Sequence, residues 1–249
     1  MTVWIGTSWK MNKTLAEAGD WARGLAGHLA GRDLGDVVPF VIPPATAIAA
    51  VAAALADEPR VLVGAQNAHW EDAGAWTGEV SVPQVADAGA RIVEIGHSER
   101  REHFAETDET VRAKVATTLA HGLIPLLCVG EPAEVKDAGD STGYVLDQVA
   151  RALAGLAPEQ LSRVLIAYEP IWAIGEHGRP ATTAELAEPF AALGESWGQQ
   201  VRGLLYGGSV NLDNAADLLG IAEVDGLFVG RTAWQLDGYL RLLEIAADR

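Results

Sequence analysis

Eight short runs of apolar and β-branched residues recur along this 249-residue chain, near positions 3–5, 37–42, 61–65, 91–95, 124–129, 164–168, 201–206 and 226–229. Between most of them lie Ala/Leu/Glu-rich stretches with helical periodicity, for example 14–30, 109–121 and 183–197. The run at 164–167 has the length and composition of a strand buried on both faces. Eight strand candidates alternating with helices form the pattern of a closed parallel (β/α)8 barrel, a fold that commonly occupies about this many residues. A doubly wound open sheet is the architectural alternative. However, no G-x-G-x-x-G follows the first strand, and no linker-like composition marks a second unit. One domain over residues 1–249 is expected.

Composition narrows the class of ligand. Eighteen basic against 34 acidic residues leave a formal charge of −16, which argues against non-specific nucleic acid or anionic membrane as partner. An anionic ligand must then be drawn by a local site. The single cysteine, Cys128, excludes an intrachain disulfide and fits a reducing compartment. It lies in an apolar run and reads as a small buried hydrophobe. No targeting segment is expected, because the chain enters a strand almost at once, and the apolar stretch 45–56 is too short to span a bilayer. A cytoplasmic location follows as the expectation.

Polar and glycine residues cluster just after the strands, on the face where such barrels carry their sites. The segments are GTSWKMN (6–12), GHSERR (96–101), YEPIWAIG (168–175), YGGSVN (206–211) and VGR (229–231). Glu169 stands at the end of the sixth strand beneath an apolar stretch ending in Gly175, which is how a general base shielded from water is built. A solvated strand-end glutamate is the alternative for that segment alone. The turns 207–209 and 229–231, with Ser209 and Gly230, can bind phosphate through backbone N–H groups without side-chain charge. No His/Asp/Glu set has metal-ligand spacing, so no metal is expected.

Taken in order, WKMN (9–12), AQNAHWEDAGAWTGEVS (65–81), IGHSERR (95–101), LCVGE (127–131), AYEPIWAIG (167–175) and YGGSVN (206–211) resemble the triosephosphate isomerase family over essentially the whole chain. The resemblance implies a TIM barrel, no cofactor, and a small phosphorylated ketose as substrate. It implies that Glu169 is the base, that His97 is a neutral electrophile at a short helix start, and that Lys10 supplies positive charge to the enediolate. Glu99 is expected to hold Lys10, or to pair with Arg100 or Arg101 instead. Gly175 is the lid residue that completes the phosphate site. Thr77 matches an interface-loop residue that reaches a partner subunit's site, which implies a homodimer. A lid over 170–181 is expected to close over phosphate.

Three positions depart from the family pattern. Ser8 stands where asparagine is usual, two residues before the lysine. The lid continues EHGRPAT (176–182) rather than with a short Gly-Lys-Thr stretch, and Arg231 replaces the second glycine of the last phosphate turn. Together they are similar to a side branch of the family that isomerises L-erythrulose 1-phosphate, a triose phosphate homologue with a hydroxymethyl group on the carbon that loses its proton. Serine for asparagine makes room of about that size. The Arg231 guanidinium is expected to reach the substrate's far end or to stack on Trp234. An ordinary triosephosphate isomerase, or a barrel that binds sugar phosphate without turning it over, are the alternatives.

Overall fold

The computed structural model describes residues 2–175 and 178–249. Its eight strands are β1 (Val3–Ser8), β2 (Val37–Ile42), β3 (Leu62–Ala65), β4 (Ile92–Ile95), β5 (Ile124–Val129), β6 (Leu165–Tyr168), β7 (Gly203–Gly208) and β8 (Gly226–Val229). Each pairs in parallel with its sequence neighbours, and β8 pairs with β1, so the sheet closes into the expected barrel in strand order. The helices are α1 (Leu15–Leu29), α2 (Ile48–Ala54), α3 (Val82–Asp87), α4 (Ser98–His103), α5 (Asp108–Ala120), α6 (Ala133–Asp137), α7 (Ser141–Ala152), α8 (Pro158–Leu161), α9 (Thr183–Leu193), α10 (Ala215–Leu219), α11 (Arg231–Trp234) and α12 (Leu236–Ala247).

Their starts are written locally. Thr14 with Glu17 caps α1, and Ser81 with Gln84 caps α3. Thr182 with Glu185 caps α9, in each case by a reciprocal capping box. Three boundaries differ from the sequence expectation. The first strand runs on from the expected 3–5 to Ser8, so Gly6, Thr7 and Ser8 belong to it rather than to the loop that follows. The seventh strand begins at Gly203 and runs through Gly208, so Gly207 and Gly208 end a strand rather than form a turn. The helix expected over 183–197 is regular only to Leu193 and then widens into a π turn, Gly194–Gly198, where two glycines weaken helical preference.

Successive strand residues point to opposite faces, and both faces are buried. Trp4, Phe40, Ile42, Ile92, Leu126, Cys128, Leu165, Ala167, Leu205 and Phe228 fill the barrel interior as one apolar cluster. Gly6 is required there, because a Cβ would lie 1.8 Å from the Phe40 ring. The outward residues join the helices in a second cluster that includes Trp9, Trp21, Val93, Ile166 and Tyr239. Tyr239 on α12 donates to the carbonyl of Ile5 at 2.8 Å, tying the last helix to the first strand. No helix among the described residues is long and apolar enough to cross a membrane.

Candidate active site

The alternation that turns Trp4, Ile92 and Leu165 into the barrel also turns inward the residues further along the same strands. These are Ser8 on β1, Glu94 on β4 and Glu169 just beyond β6. They meet at the C-terminal mouth, around a cavity of about 720 Å³. Lys10, His97 and Glu99 line it as well, together with Gly175, Ser209, Gly230 and Arg231. Every residue singled out from the sequence therefore borders one cavity, except Thr77. Thr77 is exposed on the loop between β3 and α3.

Glu169 is only 7% exposed, so the solvated-glutamate reading does not apply. Its backbone N–H donates to Val129 at 2.7 Å, extending the sheet by one residue past β6. The carboxylate is housed against Gly207, where a Cβ would lie 2.5 Å from the Glu169 Cγ. Its Oε1 is buried without a hydrogen-bond partner, and its Oε2 lies 3.8 Å from His97 Nε2. A carboxylate oxygen kept dry and unpartnered beside a cavity is suited to accept a proton from a ligand carbon.

His97 is the N-cap of α4, and its Nδ1 accepts from the backbone N–H of Glu99 at 3.2 Å. Accepting that bond requires Nδ1 to be unprotonated, so the ring proton sits on Nε2, which faces Glu169 and the cavity. His97 thus presents its Nε2 to Glu169 and the cavity.

Lys10 has a left-handed backbone, φ 52°, a conformation that costs a non-glycine residue energy. Gln66 holds it by donating to the Lys10 carbonyl at 2.8 Å. The ammonium donates to Glu99 Oε1 at 2.5 Å. Burial works against ionisation of Glu99, yet the Lys10 hydrogen bond and charge, with His97, hold its carboxyl below the usual range. Of the two pairings open to Glu99, the structure has the one with Lys10. Arg100 pairs with Glu106, and Arg101 with Asp108.

The turns after β7 and β8 are tied to the segment after β6 and to each other. Ser209 Oγ donates to Ala173 O at 2.8 Å, and Thr232 Oγ1 to Val210 O at 2.7 Å. Gly230 precedes α11, whose first N–H groups have no acceptor within the helix. Arg231 Nη2 donates to Gly175 O at 3.0 Å, so its guanidinium bridges to the segment after β6. Of the two placements expected for Arg231, the structure does not have the stacking on Trp234, whose Nε1 donates to Ser8 O at 2.9 Å and fixes the end of β1. Of the lid expected over 170–181, residues 176 and 177 lie outside the described residues.

Four contributors were not singled out from the sequence. Glu131 is fully buried and accepts from Trp172 Nε1 at 2.8 Å and from the Tyr168 hydroxyl at 3.3 Å, anchoring the start of the segment after β6. Glu185 takes Arg179 at 2.5 Å and Lys136 at 3.2 Å, anchoring its end. Arg179 and the Thr182 backbone hold that carboxyl far below the usual range. Gln66 supports Lys10. The fourth, Glu94, is 3% exposed, and its Oε2 accepts from Ser8 Oγ at 2.8 Å. Burial, the largest cause, and repulsion from Glu169 push Glu94 up to about 7, against the pull of His97, the Ser8 hydroxyl and Lys10. A carboxylate inside the doubly buried run IVEI has no solvated face to occupy, and that signal was available in the sequence.

A barrel that gathers a buried strand-end carboxylate, an N-cap histidine, a lysine and glycine-bearing turns at one mouth has the build of a sugar-phosphate isomerase. The family model described as triosephosphate isomerase matches residues 3–246, and the chain belongs to that family as an isomerase. It is 64% identical over 245 residues to an L-erythrulose-1-phosphate isomerase of Mycolicibacterium smegmatis, covering 98% of this chain and 93% of that one. It is 52% identical to an L-erythrulose-1-phosphate isomerase of Mesorhizobium japonicum, covering 96% and 95%. Among solved structures, triosephosphate isomerase from Bartonella henselae superposes with a TM-score of 0.85 at 32% identity, covering 99% of both chains.

Proposed function

We propose that the protein interconverts L-erythrulose 1-phosphate and D-erythrulose 4-phosphate, with Glu169 as base, His97 as electrophile and Lys10 as the charge that stabilises the enediolate. Glu169 removes the proton from C3, next to the carbonyl. The C–H electrons form a C2–C3 double bond, and the C2 oxygen takes up negative charge beside Lys10 and the Nε2–H of His97. A proton passes between the two oxygens at His97. Glu169 then returns its proton to C2, leaving the carbonyl on C3, with no net oxidation and no cofactor. The phosphate sits at Ser209, Gly230 and the start of α11, under Gly175 of the lid, where backbone N–H groups supply the attraction that the chain's negative charge cannot.

The observation that carries the chemistry is the pairing of an unpartnered, buried Glu169 Oε1 with a His97 whose Nδ1 already accepts a hydrogen bond. The choice of a four-carbon substrate rests on the two relatives named above, supported by the Ser8 and Arg231 departures. The same reading takes the enzyme as a cytoplasmic homodimer. Met11 is 97% exposed, Phe104 66% and Trp76 48%, all in loops, which is unfavourable in water and sensible in an interface. Trp76 packs on His69 with ring centroids 4.4 Å apart, so it projects from a supported loop.

The decisive experiment compares kcat/KM for L-erythrulose 1-phosphate and dihydroxyacetone phosphate on the wild type, with Glu169→Gln as control. Preference for the four-carbon ketose is expected. Glu169→Gln should lose at least about 1,000-fold in kcat while still binding phosphate ligands. Efficient turnover of dihydroxyacetone phosphate with none of the tetrulose phosphate would leave an ordinary triosephosphate isomerase.

A further inference from the structure

Glu94 is placed where a carboxyl group is costly and where the proposed chemistry has no use for it. It follows Ile92 on the inward face of β4, one layer above the apolar interior, and it borders the cavity. Its Oε2 accepts from Ser8, which closes β1 on another part of the barrel. Its Oε1 has no protein donor among the described residues. A buried carboxyl with one hydrogen bond destabilises a fold relative to a well-packed apolar side chain of similar size. The residues on either side of it are already committed: Glu169 to the carbon acid, His97 and Lys10 to the two reacting oxygens, and the β7 and β8 turns to phosphate.

The polar atoms of the two candidate substrates can be matched to these groups in turn. A triose phosphate is used up by them: one phosphate, two oxygens, one transferable proton. A four-carbon ketose phosphate has one group left over, the terminal hydroxymethyl on the carbon that Glu169 deprotonates. Of the other polar groups lining the cavity, Arg231 and Thr232 donate to backbone carbonyls and the Asn211 side chain accepts from Asp213 and Asn214. Ser8 with Glu94 is the pair left over, on β1 and β4 just beneath the loops that carry Lys10 and His97. We infer that Glu94, held by Ser8, is the specificity-determining residue that hydrogen-bonds the terminal hydroxymethyl of the ketose phosphate.

The inference deepens the proposed function and rests on it. The Ser8 departure then has a role beyond making room, since its hydroxyl orients the carboxyl group that reads the added hydroxyl. A site built around a hydrogen bond to a substrate hydroxyl discriminates strongly against the homologue that lacks it, because its own buried polar group is left unpaired. Glu94 contacts a substituent next to the reacting carbon and takes no part in moving the proton.

The test uses the full-length protein and two non-reacting polyol phosphates, erythritol 4-phosphate and glycerol 3-phosphate, which differ by the extra carbon and hydroxyl. Their dissociation constants are measured by calorimetry for the wild type, Glu94→Leu and Glu94→Gln, with circular dichroism to check the fold. Glu94→Leu should weaken the four-carbon ligand about 10- to 100-fold more than the three-carbon ligand. Glu94→Gln, still able to hydrogen-bond, should recover most of that difference. Equal losses for both ligands, or no loss for either, overturn the assignment. A wild type that prefers the tetrulose in kcat/KM, with Glu94 variants that keep the preference, removes Glu94 alone. A wild type with no such preference removes the proposed substrate and the assignment together.

Discussion

Replacing Glu94 by glutamine should stabilise the protein at neutral and alkaline pH and have little effect in acid. The carboxyl is pushed from the ordinary 4.5 up to about 7 in the folded state, first by burial and then by Glu169. It is faced by Lys10 from the loop after β1, His97 after its own strand, Cys128 from β5 and Glu169 after β6. Between pH 4.5 and 7 the folded chain therefore binds more protons at this site than the unfolded chain. Stability must fall as pH rises through that window and level off above it. At about 1.4 kcal/mol per pH unit, the displacement costs the wild type about 3 kcal/mol at pH 8. Glutamine is similar in size, can still accept the Ser8 hydrogen bond and does not titrate. The assay is urea unfolding of both proteins at equal concentration from pH 4.5 to 8.5. The stability difference should grow in favour of Glu94→Gln by about 2–4 kcal/mol across that range. A difference that stays constant with pH, or one that turns against the glutamine variant as pH rises, would refute the reasoning.

Gly207→Ala should lower kcat by about 100-fold or more with a smaller change in phosphate affinity, because the new methyl group meets Glu169 Cγ 2.5 Å away and displaces the base; steady-state kinetics and phosphate binding separate the two effects, and a normal kcat would show that the base has room to shift. Glu131→Gln leaves Trp172 an acceptor but removes the charge that gathers Trp172, Tyr168 and Ser141. It should loosen the lid hinge, seen as faster hydrogen exchange over 168–175, and exchange equal to the wild type would remove Glu131 as the anchor. Trp76→Glu should shift the protein toward monomer at micromolar concentration in light scattering and reduce activity, whereas an unchanged mass would place the interface elsewhere.

Much of the barrel could be read from the chain because its determinants are local. Apolar strand runs, capping boxes at Thr14, Ser81 and Thr182, and the order of alternating elements leave few ways to close a parallel sheet. The positions of Lys10, His97 and Glu169 followed as well, since strand order places every strand's C-terminal end at one mouth. What the sequence left open is which face each strand residue takes. In a barrel both faces are buried, so strands lack the polar/apolar alternation that marks inside from outside. Glu94 therefore read as one more position in a strand until closure turned it inward with Ile92, opposite a serine 86 positions away. Closure likewise decided that Arg231 grips Gly175 and that Trp234 holds the Ser8 carbonyl. These contacts join residues 56 and 226 positions apart, separations at which no local pattern carries information. Chain order assigned the reacting groups to the mouth; only the closed sheet decided which side chains line the floor beneath them.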